Sequence, residues 1–98
     1  MTLKLHPLAE NDLKTALDYY FEISPNLETR FLSSIDRQFH KILEHPKVYP
    51  FETKTSQKVI VNKFPYIIIF EQYKDIIIIL AIFHTRQNPK KLNDRHNS

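Results

Sequence analysis

The chain contains no glycine, although average usage of about 7% would supply about seven in a protein of this length. Phosphate-cradling loops of the P-loop and Rossmann kinds need glycine so that the backbone can approach the anion closely, and nucleotide-binding folds of those two classes are therefore excluded. Cysteine is also absent. That removes a disulfide framework and any thiolate zinc site, and it fits a cytoplasmic location. His6, His40, His45 and His96 show no metal-ligand spacing with a third ligand, and there is no His-Glu-x-x-His, so neither a metal nor a cofactor is expected. The opening MTLKLHPLAEND has no apolar signal core, and the longest unbroken apolar run, 76–83, falls far short of the roughly 20 residues that span a bilayer. A soluble protein without a membrane partner is expected. Internal repeats and low-complexity segments are lacking as well.

What is present fits one domain over 1–98 with a modest core, its last residues, about 93–98, being a flexible tail. Charge is uneven: residues 1–49 carry six Lys or Arg against seven Asp or Glu, whereas residues 50–98 carry eight against four. A basic second half is compatible with an anionic partner and equally with a tail that Lys and Arg keep in solution.

Residues 58–89 organise the rest. Three short runs dense in Ile, Val and Phe are split by Lys63-Phe64-Pro65 and by Tyr73-Lys74-Asp75. Their β-branched and aromatic content predicts strands over 59–62, 66–73 and 76–83, the last two forming a hairpin. Ile76 to Ile79 are apolar on both sides of the pleat, which requires a central strand covered on both faces. Ahead of these runs, Leu3 and Leu5 alternate with Lys4 in a short strand over 2–6. Pro7 is suited to the first position of a helix over 7–22, in which Ala9, Leu13, Ala16, Leu17 and Tyr20 recur at helical spacing and Glu10 and Asp12 lie near the positive end. Ser24 is the expected N-cap, and Pro25 the start, of a second helix carrying Leu27, Phe31, Ile35, Phe39 and Ile42 on one face and ending near His45, before Pro46. A link of two or three residues makes the helices an antiparallel hairpin whose apolar faces cover the sheet. Residues 46–57 lack a period and read as a long loop of the kind often used for binding. The fold class is α+β: an N-terminal strand, an antiparallel helical hairpin and a three-stranded antiparallel meander, giving a roughly four-stranded sheet.

This β-α-α-β-β-β order, with Phe64-Pro65-Tyr66 opening the penultimate strand and an apolar last strand running into His84-x-Arg86 and Asn88-Pro89, resembles the RelE/ParE superfamily of bacterial toxins. Pro7-Leu8-Ala9-Glu10-x-Asp12-Leu13 and the pair Tyr19-Tyr20 are similar to the family's first helix, so the resemblance covers nearly the whole chain. It implies the toxin half of a type II toxin–antitoxin module, with the first strand at an edge beside a central last strand. RelE-type members cut messenger RNA on the ribosome with Lys, Arg and a Tyr or His. ParE-type members share the fold, lack that set and poison DNA gyrase. The run His84-Thr85-Arg86-Gln87-Asn88-Pro89 is closer to the ParE side, and no tyrosine follows Tyr73.

Metal-free RNA cleavage needs a base for the 2′-hydroxyl, a cation for the phosphorane charge and an acid for the leaving oxygen. His84 and Arg86 are the catalytic candidates if the chain is a ribonuclease. Lys58, Lys63, Arg86, Lys90 and Lys91 are the candidates for binding a phosphate or a protein target, and Tyr66 or Tyr73 for stacking a base. Each also has a plainer reading: His84 as a hydrogen-bonded strand end, the lysines as exposed charges, Tyr66 as core. Strand alternation puts Lys58 and Lys63 on opposite faces unless the strand ends between them. The face of the sheet left uncovered by two helices carries Ile67, Ile69, Ile76 and Ile78, an expected protein interface. By the resemblance its partner is a cognate antitoxin whose extended C-terminal segment lies across the toxin, giving a hetero-oligomer; self-association as a homodimer is the alternative. A plain protein- or nucleic-acid-interaction module remains a third reading, although the glycine and surface aromatics of an RNA-recognition sheet are missing.

Overall fold

The structure is a computed structural model and describes residues 1–86. Its elements are β1 (Thr2–Leu5), α1 (Pro7–Ile23), α2 (Pro25–Glu44), a 3₁₀ turn (Pro46–Val48), β2 (Ser56–Ile60), β3 (Tyr66–Tyr73) and β4 (Ile76–His84). The sheet order is β1-β4-β3-β2, with β1 parallel to β4 and the other pairs antiparallel. The sheet is thus mixed, because the meander returns its last strand alongside the first in the same direction. No helix among the described residues is long and apolar enough to cross a membrane.

Local chemistry accounts for the boundaries. The His6 ring caps α1 by accepting a hydrogen bond at Nδ1 from the Leu8 N–H, with Pro7 following as the first helical residue. One residue, Ser24, joins the helices, a tighter link than the expected two or three. Its extended backbone ends α1 by donating to the Tyr20 carbonyl and starts α2 by accepting from the Leu27 and Glu28 N–H groups. The Ser24 hydroxyl, expected as the cap, makes no capping bond.

β2 starts at Ser56, three residues before the predicted strand, and ends at Ile60. The expected long loop is correspondingly shorter and folds back on the free edge of β2 through a Phe51–Gln57 bridge and a Lys58 N–H to Pro50 carbonyl bond of 2.9 Å. Gln57 is buried and holds this return: its amide nitrogen donates to the Pro46 and Tyr49 carbonyls at 2.6 and 3.1 Å, and its amide oxygen accepts from Gln72 at 2.8 Å.

Both helices lie on one face of the sheet. Ala9, Ala16 and Tyr20 of α1 and Phe31, Ile35 and Ile42 of α2 are buried against Ile68, Phe70, Ile77, Ile79 and Ile82. The other face holds a separate cluster of Ile69 and Ala81 flanked by Ile67, Leu80 and Phe83, with no helix residue in it. β4 shifts register opposite Ile69 and Phe70, where Leu80 is the extra residue of a bulge.

Candidate functional site

β1 ends at Leu5, and its last pairing with β4 is the His6 N–H to Ile79 carbonyl bond of 2.8 Å. Beyond Ile79 that edge of β4 has no strand beside it among the described residues. The Ile82 N–H, directed away from β3, is taken up by Asp12 of α1, whose Oδ2 accepts it at 2.9 Å. A cleft of about 280 Å³ opens here between helix and strand, lined by Asn11, Asp12, Thr15 and Ala16 on one side and Tyr66, Ile82 and His84 on the other. Asp12, Thr15 and Ala16 share a helical face because they are three and four residues apart. Asp12→Ala is expected to destabilise the fold by about 1–3 kcal/mol, since it strands a part-buried donor, whereas Asp12→Asn keeps an acceptor and most of the stability. Urea unfolding of the two variants gives this comparison; equal stability for both would contradict the role.

His84 lies at the mouth of the cleft, half-buried, its ring edge-on to Tyr66 with centroids 5.3 Å apart. Its Nδ1 accepts the Arg86 N–H at 3.1 Å, closing the turn after β4, and the Thr85 N–H reaches the Pro65 carbonyl at 2.9 Å. This bond assigns the proton of the neutral ring to Nε2. His84 therefore shapes the strand end just as His6 shapes the start of α1. Arg86 is exposed in the same turn.

Tyr66 is buried among Tyr20, Phe31 and Phe64. Burial first, then the neighbouring Tyr20 and Tyr19, push its phenol up to about 12, and burial also raises Tyr20. A phenol so placed can donate a proton in a hydrogen bond near neutrality but cannot act as a base. Because the folded value lies above the ordinary 10, folding is favoured fully below pH 10 and loses that contribution as pH rises toward 12, on the order of 2 kcal/mol. Wild-type stability should fall over this window, and Tyr66→Phe should flatten the fall. An unchanged alkaline limb in the variant would contradict it.

The remaining candidates are dispersed. Lys58 pairs with Ile69 on the face away from the helices, its Nζ 3.7 Å from Glu52 Oε2. His84 pairs with Tyr66 on the helix face, so Lys58 and His84 lie on opposite sides of the sheet. Lys63 is not on a strand at all, because β2 ends at Ile60, and it occupies the β2–β3 turn with φ of 72°. Tyr73 is exposed at the far end of β3, beside Lys74. Ile67, Ile76 and Ile78 are half-buried on the uncovered face beside Ile60, which is 69% exposed, while Ile69 is closed off at 1%. Lys90 and Lys91 lie outside the described residues. The cleft residues Asn11, Asp12 and Thr15 were not site candidates from sequence; their only signal is polarity on the helical face that Ala9 and Ala16 turn toward the sheet.

The sequence model of the ParE toxin of type II toxin–antitoxin systems (parDE) matches residues 3–89. No curated protein matches the chain. Among solved structures, a chain described as the chromosomal ParDE TA system from P. aeruginosa superposes with a TM-score of 0.76 at 23% identity, covering 86% of this chain and 95% of that one.

Proposed function

Since this chain belongs to the ParE toxin family of type II toxin–antitoxin systems, we propose that it arrests bacterial growth by inhibiting DNA gyrase when it is free of a cognate antitoxin. The observation that favours gyrase over messenger RNA is that the groups RNA cleavage would need are either engaged in holding the strand end or lie on the other side of the sheet. A ribonuclease aims a base, a cation and an acid at one phosphodiester. Here His84 spends Nδ1 on the Arg86 backbone, Tyr66 holds its proton, and Lys58 is on the opposite face of the sheet beside Glu52. A poison of a protein target needs no acid–base pair, only a surface. Arg86, with Lys90 and Lys91 following it in sequence, supplies the charge of that surface in this reading.

The antitoxin is proposed to cover the sheet face that carries Ile60, Ile67, Ile76 and Ile78. Strand side chains alone form the apolar cluster there, and a half-buried apolar band of this kind is a protein interface in the making. Induced expression of the chain should stop growth and relax plasmid supercoils, and co-expression of the small protein encoded beside it should relieve both effects. Growth arrest with supercoiling intact and transcripts cut within their reading frames would favour the ribonuclease instead.

A further inference from the structure

We propose that the concavity between α2 and the β2–β3 turn is a phosphodiester-binding site for a nucleic-acid backbone. The cleft, about 180 Å³, is lined by Arg30, Ser33, Ser34 and Arg37 of α2 and by Lys63 and Phe64 of the turn, so it carries three cations and no acid. Arg30 and Arg37 are two helical turns apart and therefore share a face, with Ser33 between them. Neither arginine, nor Lys63, has an ion pair or side-chain hydrogen bond within the described residues.

Lys63 is held there by construction. The buried Ser34 hydroxyl donates to the Asn62 carbonyl at 2.9 Å, tying the turn to the helix. Phe64 anchors the other side, its ring edge-on to Phe31 at 5.1 Å and to Tyr20 at 5.3 Å. Between these two fixed points the backbone takes a φ of 72° at a lysine, a left-handed conformation that glycine would adopt without steric cost. Strain kept at a residue whose side chain is a cation, facing two guanidinium groups, points to a use for that cation.

The donor set fits a phosphate: two planar forks that pair with phosphate oxygens, one ammonium and one hydroxyl. Exposure of all three cations favours a polymer over a single ion. Successive phosphates of a backbone release their condensed counterions when the cations dock, whereas one small anion in an open site gains little against solvent. This site is on the helix side of the sheet and is independent of which target the toxin arrests.

The test is fluorescence anisotropy of the full chain with a short labelled DNA duplex and with a labelled RNA strand, over a range of salt. R30Q/R37Q is expected to weaken binding about ten-fold or more and to lower the slope of log affinity against log salt by about one. K14Q/K47Q, which removes the same charge outside the cleft, should stay within about two-fold. K63G removes a cation while relieving the left-handed turn, so it should bind less tightly yet melt no lower than the parent, and K63R should restore binding. Equal weakening by both double variants, or no binding by the parent chain, would overturn the proposal. Complete displacement of the duplex by millimolar inorganic phosphate would reassign the cleft to a free ion and overturn the nucleic-acid assignment.

Discussion

Phe31→Ala is expected to lower stability by about 3–5 kcal/mol, the range for emptying a fully buried aromatic site. The ring is inaccessible to solvent and its neighbours cannot easily close the void. Its centroid is 4.9 Å from that of Tyr20, 5.0 Å from Tyr66 and 5.1 Å from Phe64, so one side chain of α2 joins α1, the start of β3 and the β2–β3 turn. For a chain of this size that is a large share of the whole stability. The loss should also reach function, because Tyr66 supports the His84 ring and Phe64 fixes the turn that presents Lys63. Chemical denaturation measures the effect; a loss below about 1 kcal/mol would mean that the cluster is looser than its geometry.

The second large effect concerns toxicity. Removal of everything after Pro89 deletes Lys90, Lys91 and Arg95 and is expected to abolish growth arrest, whereas His84→Asn should leave it nearly unchanged. Asparagine keeps an acceptor where the Nδ1 of His84 receives the Arg86 N–H, a turn that asparagine side chains readily make, but it cannot transfer a proton. Colony counts after induction compare the two. Loss of toxicity in His84→Asn with normal folding and normal antitoxin binding would return His84 to the role of catalyst.

These contrasts show where the sequence was legible. β4 was legible as a central strand because of its four successive isoleucines, although only the Ile77 and Ile79 face is covered by helices, and the helices were legible because Phe31, Ile35 and Ile42 recur at helical spacing. β2 was displaced because Ser56 and Gln57 read as loop residues, although both are buried. The polarity of Gln57 is satisfied by carbonyls of Pro46 and Tyr49 that are remote in sequence, and no local pattern reveals such partners. The turns were legible as the breaks at Lys63-Phe64-Pro65 and Tyr73-Lys74-Asp75, but their backbone conformation was not, because glycine is absent. Left-handed positions fall to Lys63 and Lys74, so a residue that ordinarily signals only exposed charge here also bends the chain. The cationic cleft was hidden because, although Arg30 and Arg37 are visibly seven residues apart, the third cation joins them through tertiary contacts, the Ser34–Asn62 bond and the packing of Phe64. The faces of the sheet were assigned correctly by alternation up to Ile79, beyond which the bulge at Leu80 resets it.

The most direct measurement puts the purified chain into two parallel reactions, supercoiling of relaxed plasmid by DNA gyrase and translation of a defined messenger RNA by ribosomes. Under the proposed gyrase inhibition, the chain should block supercoiling and accumulate gyrase-cleaved DNA, with the messenger left whole and both gyrase effects reversed by the antitoxin. Normal supercoiling together with cleavage of the messenger at the ribosome would contradict the account.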